Sequence, residues 1–503
     1  MNTIHRAALA ATASLGALAA SALGAPVAVE TVLFTGDAAP DASDAVLGGA
    51  GTNAVLDTLD EPVRLSDGTI AFTASTTDST GIVREGVFFR LPDGTVRRVL
   101  TEGEVDGMSA FGSPFAEAFN EPAIDADGTI VFEAELTGPP NTAGGDPAES
   151  EALVVALPDG TRRILARSGD AVDVPGGAVL GETSSDGSFR DAFDNEVDIA
   201  GGRVLFQSDI TPQDPDGPDE GLFVADEDGA ISVLVLPGAD VSNVAGGVLE
   251  DLDGGTINEV GIVVFEGDLL RDDESELQNG IDTANNDGIF TLQDGQLTMI
   301  AREADVVDAS DGARLDGVFG DPVLNEAGQV AFTAGLEGDD LNGGTTDLGE
   351  GLVLATTAGG APTLLVRTGD AVDGGVIEDI DGDLSLNEVG TVAFLADLES
   401  EDGLFDLGEA LFTVNPDGVL HEILREGDFL EVRGQSREVV GLDIALDSLS
   451  DDGVLSFVAN FADGTSALLL ANLDPVPVPG AALLLLTGLG GGAALRRRRS
   501  ASR

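Results

Sequence analysis

The sequence predicts an all-β chain folded as a seven-bladed β-propeller of four-stranded blades. The N-terminal strand closes the last blade, and a signal helix and a C-terminal transmembrane helix flank the ring. Three observations lead there: a strand motif recurs seven times, tight turns recur at fixed places between its copies, and the seventh unit is split between the two ends of the chain. A stacked solenoid is the alternative, but it needs capping repeats rather than a divided unit.

Residues 1–25 read as a secretory signal. His5 and Arg6 form a polar head, and Ala7 to Leu23 is an apolar stretch of small residues and Leu. Ala20-Ser21-Ala22 and Ala22-Leu23-Gly24 both meet the small-x-small rule for cleavage. Signal peptidase is therefore an expected partner in processing. A buried N-terminal helix is the competing reading, and the Ala-rich, cleanly bounded stretch argues against it.

The body, residues 26–473, is a tandem repeat. Its strand motif appears as Ile70-Phe72-Ala74, Ile130-Phe132-Ala134, Val204-Phe206-Ser208, Val263-Phe265-Gly267, Val330-Phe332-Ala334, Val392-Phe394-Ala396 and Leu455-Phe457-Ala459, with Phe residues 59 to 74 positions apart. Period-two alternation marks a strand. The opposite face is apolar as well (Ala71, Val131, Leu205, Val264), so each strand is sandwiched between neighbours.

A turn precedes the strand: Asn258-x-x-Gly261, Asn325-x-x-Gly328 and Asn387-x-x-Gly390, with Asp125 and Ser450 in the Asn place before Gly128 and Gly453. Asn, Asp or Ser accepts a bond from nearby backbone, and Gly supplies the positive φ. The copies at Leu65 and near Asp198 depart from the pattern. After the Phe strand comes an apolar pair such as Val87-Phe88, Leu222-Phe223 or Leu411-Phe412. An Asp-Gly hairpin turn follows, as at Pro92-Asp93-Gly94 and Pro158-Asp159-Gly160. The next strand ends in a corner, Arg167-Ser168-Gly169-Asp170, Arg367-Thr368-Gly369-Asp370 or Arg425-Glu426-Gly427-Asp428, with looser forms at 101–104, 237–240 and 302–305. Because the corners recur, an Arg-to-carboxylate contact that fixes each one is a better account than catalysis. The first corner, Phe34-Thr35-Gly36-Asp37, precedes any Phe strand, and none follows the last. A divided unit of this kind is how a ring of sheets closes.

Residues 474–503 hold three parts in order. Pro475, Pro477 and Pro479 make a stiff extended spacer. Gly480 to Leu495 is uncharged and shorter than the ~20 residues of a comfortable membrane span. Arg496, Arg497, Arg498 and Arg499 resist crossing a bilayer. The run Val476-Pro477-Val478-Pro479-Gly480-Ala481-Ala482-Leu483-Leu484 with its arginine end resembles the VPLPA subtype of PEP-CTERM sorting signals. That resemblance implies an exosortase as partner, cleavage of the tail, transient anchoring in the inner membrane, and delivery to the cell surface or matrix of a Gram-negative bacterium. A permanent single-span anchor keeps the body on the same side.

Composition narrows the chemistry. All 91 acidic residues lie between the signal and Asp474, a stretch that keeps 17 of the 23 basic ones, every one an Arg. Such charge repels nucleic acid and anionic membranes. There is no Cys, Trp or Tyr, and of two histidines only His421 lies in the body. Disulfides, thiol chemistry and His-cluster zinc sites are excluded, a Ser-His-Asp triad is disfavoured, and aromatic sugar platforms lack their usual rings. General bases reduce to carboxylates.

The repeats, with Asn325 to Ala334 and Asn387 to Ala396 as the clearest copies, resemble a bacterial family named for its tandem NxxGxxxFxA motif and choice of surface anchor. The resemblance implies surface display and supplies no catalytic residue. In an up-and-down blade the short turns share one face. The opposite face takes long acidic connections such as Asp272 to Glu276, Asp339 to Asn342 and Glu399 to Asp402. The candidate calcium ligands are Asp379, Asp381 and Asp383, with Asp251 and Asp253 as a partial copy, because hard cations want many oxygens. Neither stretch completes an EF-hand loop. A non-catalytic surface or matrix protein whose acidic loops bind calcium or a partner is the expected function, with the mature body's partner left open. The alternative is an extracellular hydrolase or lyase using carboxylates and Arg, which requires a unique Asp/Glu/Arg set aimed at the central channel.

Overall fold

The computed structural model describes residues 28–473 apart from 40–53, 79–80, 104–114, 120–121, 141–146, 184–188, 191–192, 194–196, 213–216, 227–228, 271–284, 309–311 and 340–344. The signal segment and the sorting residues Pro475, Pro477, Pro479 and Arg496 to Arg499 lie outside these residues, as do the loop stretches Asp272 to Glu276 and Asp340 to Asn342.

Every regular element among the described residues is a strand. Seven sheets stand around a central axis, and in each the chain steps outward through an inner strand, the Phe strand, a third strand and an outer strand, all antiparallel. Blade 6 shows this order in Gly375–Leu386, Val392–Glu399, Asp406–Val414 and Leu420–Arg425. Blade 4 repeats it in Leu249–Ile257, Val263–Leu269, Asp287–Gln293 and Gln296–Arg302. In blade 7 the strands Gln435–Asp443, Val454–Phe461 and Ser466–Asn472 are completed by Ala28–Phe34, whose register runs from Ala28 opposite Asn472 to Phe34 opposite Ala467. The divided unit closes the ring as expected. Across the closing seam Ser448 Oγ and Ser456 Oγ donate to the Pro62 carbonyl at 2.7 and 3.1 Å.

Among the described residues four blades carry an addition that the repeat pattern did not announce. Short strands Ala171–Val172, Val306–Asp308, Ala371–Val372 and Phe429–Val432 fold back on the start of the inner strand. The reversal is made at left-handed glycines such as Gly374 (φ +84°) and Gly434 (φ +75°).

Apolar packing is organised by seams rather than by one central core. The hydrophobic clusters span adjacent blades; Phe394, Phe412 and Leu384, for example, pack with Leu352 and Val366 of the preceding blade. All seven motif phenylalanines are fully buried. Four of them stack on a Phe of the third strand, as Phe72 on Phe88 at 5.8 Å and Phe394 on Phe412 at 5.6 Å. Burial of each contributes roughly 1.5–3 kcal/mol.

Why Asn opens the turn is now visible. Asn325 Oδ1 accepts the Gln329 N–H at 2.8 Å within its own turn, and its Nδ2 donates to the Asn387 carbonyl of the next blade at 2.9 Å. Asn258 does the same toward Ile262 and Asn325. An amide carries its acceptor and its donor on separate atoms, so one side chain serves its own turn and the next blade at once. A second chain of bonds runs beside it: Glu259 N–H to Glu326, Glu326 N–H to Glu388, and Glu388 N–H to Asp451. Asn325→Ala strands buried groups on both sides of the seam. It is expected to lower stability by about 2 kcal/mol, read as a fall in the melting temperature relative to Asn325→Asp, which keeps the acceptor.

The corners are held differently from the expectation. The Asp carboxylate accepts the backbone N–H three residues earlier: Asp170 from Arg167, Asp305 from Arg302 and Asp370 from Arg367, each at 3.0 Å. Phe34 N–H gives the same bond to Asp37 at 3.1 Å where no Arg stands. A backbone N–H thus supplies the corner's hydrogen bond, the Arg charge acts on the same carboxylate at Asp170 and Asp305, and Arg302 also reaches Asn285 while Arg425 reaches Glu422.

Candidate functional site

The inner strands converge on the axis, so their polar residues line a channel. At the turn face it widens to a cavity of about 200 Å³, to which every blade contributes: Arg64, Asp125, Asp198, Ile257, Asn325, Leu386 and Asp447. Asp198 accepts the Ile199 and Ile257 N–H groups, both at 2.7 Å. Burial, and then the Asp447 charge, push Asp198 up to about 7; burial and Asp451 push Asp447 up to about 6. Arg64 is buried and committed to Ser450 and to Asp452 at 2.7 Å. The channel thus holds an acid pair and an Arg, yet the Arg serves the seam between blades 7 and 1.

Toward the opposite face the inner strands bulge. Register shifts lie between Ile380 and Leu384, between Asp253 and Thr256, and between Asp60 and Val63. These bulges carry the candidate calcium ligands, which take separate hydrogen-bond partners although Asp251 and Asp253 line one cleft. Asp379 shares a hydrogen bond with Glu350 of the preceding blade, and Asp251 shares one with Glu220. Asp381 accepts its own Gly382 N–H at 2.8 Å and Asp253 accepts Gly254 N–H at 3.0 Å. Burial, with Asp381 and Asp321 nearby, holds Asp383 above the usual carboxylate range. Among the described residues no three acidic or histidine side chains surround a common point as a ready metal cage. His421 sits exposed on an outer strand opposite Thr413.

Glu220 and Glu350 belong to a set that the sequence displays and the apolar pattern hid. Six of the seven third strands carry an acid ahead of their apolar pair: Glu85-Gly86, Glu151-Ala152, Glu220-Gly221, Asp287-Gly288, Glu350-Gly351 and Glu409-Ala410, with Ser466-Ala467 in blade 7. Four of these acids reach across the seam to a backbone N–H of the next blade. Glu151 takes Phe193 at 3.2 Å, Glu220 takes Leu252, Glu350 takes Ile380 and Glu409 takes Leu442. Asp287 packs so near Gly317 that a side chain there would collide with it. The residue after the acid is small because the outer strand's backbone lies against it, as the Leu100 carbonyl does at Gly86.

These seam acids meet the acidic bulges, and both lose water. Burial first, and the shared bond with Asp251 second, push Glu220 up to about 9. Glu350 and Glu409 are pushed up to about 7, chiefly by burial. Between blades 7 and 1, burial and Asp60 push Asp443 up to about 8, and Glu61 rises to about 7 despite accepting the Thr73 hydroxyl at 3.1 Å. The deepest concentration lies between blades 3 and 4, in a cleft of about 310 Å³ lined by Asp209, Glu220, Asp251, Asp253, Glu266 and Asp268. Burial and the facing aspartates, Asp321 first, push Glu266 up to about 8.

No curated protein matches the sequence. Solved structures resemble it only weakly. A puromycin-hydrolyzing peptidase from Mycobacterium tuberculosis is 12% identical with a TM-score of 0.37, covering 84% of this chain and 54% of its own, so the chain spans about half of it. Polysaccharide lyase Uly1 (12%, TM-score 0.36, 90% and 100%) and a Xanthomonas campestris gluconolactonase (12%, TM-score 0.32, 83% and 96%) stand at the same level. At such values the likeness says nothing of chemistry. Sequence-family similarity is broader: one family profile matches residues 18–184, 176–381 and 374–483 in succession. That span takes in every blade, and the chain belongs to the family of unknown function DUF7453.

Proposed function

We propose that this propeller is an exported, non-catalytic surface or matrix protein whose inter-blade clefts take up divalent cations. The observation that carries the reading is the pairing of seam acids with acidic bulges, Glu220 with Asp251 and Glu350 with Asp379. Carboxyls brought together in partly buried clefts lose water and repel one another once ionised. A hard divalent cation supplies the missing charge and accepts oxygen ligands without directional demand. Export rests on the signal and sorting segments. Ser466–Asn472 runs toward the turn face, so a tail leaving residue 473 keeps the acidic face directed away from its attachment.

Thermal unfolding of the full chain with millimolar calcium, with magnesium and with chelator, at one high ionic strength, tests the reading. A cation that binds only the folded ring stabilises it by about 2.7 kcal/mol at a hundred times its Kd. The melting temperature is expected to rise with calcium, and three coincident transitions would sink the cation reading.

The carboxylate enzyme is the second reading, favoured by one observation: Asp198 and Asp447 meet inside the channel with raised pKa values. Against it, both Asp198 oxygens are already bonded and the cavity is below the ~300 Å³ at which ligand pockets begin.

A further inference from the structure

One side chain distinguishes the cleft between blades 3 and 4 from the other seams. Gln207 follows Phe206 on the Phe strand and is 5% exposed. Its Nε2 donates to the Leu252 carbonyl across the seam at 3.0 Å, which fixes the amide, and among the described residues its Oε1 accepts from nothing. Turning the amide over would set its oxygen against the Leu252 carbonyl, so the orphan is not removed by a flip. A buried acceptor without a donor costs roughly 1–3 kcal/mol.

Among the described residues the cleft brings Gln207 no side-chain donor when its acids are ionised. Its other polar side chains are the six carboxylates already described. A site made wholly of oxygen acceptors is completed by a cation, and the volume of about 310 Å³ admits an ion with several waters at ~30 Å³ each. The equivalent positions in the other blades are Thr73, Glu133, Glu266, Thr333, Leu395 and Val458, so the amide is particular to this seam.

We propose that this cleft is a specific calcium site, in which Gln207 Oε1, Asp251, Asp253 and Glu220 supply the protein oxygens and water completes the shell. The inference rests on the cation reading above and narrows it to one seam. Binding draws the carboxylates inward around the ion and gives the orphaned oxygen its partner.

Calorimetric titration of calcium chloride into the full chain, at fixed ionic strength and pH 7.5, tests it. Wild type is expected to show one tightest site. Gln207→Met, similar in size and without the carbonyl, weakens that site at least tenfold, whereas Gln207→Glu, which keeps an oxygen there, retains it. Glu350→Gln, in a seam without the amide, leaves it unchanged. Circular dichroism confirms that each variant is folded; if Gln207→Met is not, Asp251→Asn replaces it with the same expectation. Wild-type affinity in a folded Gln207→Met or Asp251→Asn overturns this site while leaving cation uptake elsewhere intact. Absence of calcium binding in wild type overturns both.

Discussion

Deletion of Ala28–Phe34 is expected to open the ring. The strand completes blade 7, buries Leu33 and presents Val32 and Phe34 to the neighbouring clusters. At ~1.5–3 kcal/mol for each well-buried side chain the loss is on the order of 5 kcal/mol, a large share of the ~5–15 that holds a domain folded. It also bares Ser466–Asn472 as an unpaired edge, and such edges pair with other molecules. Light scattering after size exclusion is expected to show dimers or larger species, together with a lowered and broadened melt. A monomeric deletion variant that melts like the full chain would place closure in the Pro62 contacts with Ser448 and Ser456 instead.

The second large effect is a stability that falls as pH rises. Glu220 sits at about 9, Glu266 and Asp443 at about 8, and Glu61, Glu350 and Glu409 at about 7, with burial the leading cause in each. In the unfolded chain such groups release their protons near pH 4. Between pH 4 and the folded values the native ring therefore holds more protons than the unfolded chain, and unfolding free energy falls with pH. The stabilisation is complete below the unfolded values and is lost as pH passes through 7 to 9. With chelator present, the melting temperature at pH 5.5 is expected to exceed that at pH 9 by on the order of 5 °C. Added salt narrows the gap by screening the more exposed carboxylates. A melting temperature that rises from pH 5.5 to 9 would mean that these acids are ionised and compensated in the folded ring.

The ring itself was legible because its signals are local. Phe332 and Phe394 stand in period-two strands, Asn325 and Asn387 sit a fixed distance ahead, and the unpaired corner at Phe34 told where the last blade closes. The seam chemistry was not legible, because each pair joins residues of different blades: Glu350 with Asp379, Glu220 with Asp251, and Asp443 with Asp60 at opposite ends of the chain. Reading Asp379, Asp381 and Asp383 as one ligand run assumed that neighbours in sequence act together. The bulge between Ile380 and Leu384 instead leaves Asp379 to the preceding blade. The recurring acid ahead of each apolar pair was present in the sequence, but it reads as ordinary surface charge until the next inner strand is placed against it. Gln207 gave no signal, since its meaning lies in an oxygen that finds no donor.

The clasp also sets how the ring bears load. Ser466–Asn472 lies between two antiparallel partners, Val454–Phe461 on one side and Ala28–Phe34 on the other, and leads directly into residue 473. A pull at that point runs along the strand, so the ladders on both sides resist it in shear, many bonds at once, rather than parting one at a time as a peeled edge would. A pull at residue 473 is thus shared by the seven residues Ala28–Phe34 that complete the circle, and a ring that has lost them resists it with one ladder instead of two.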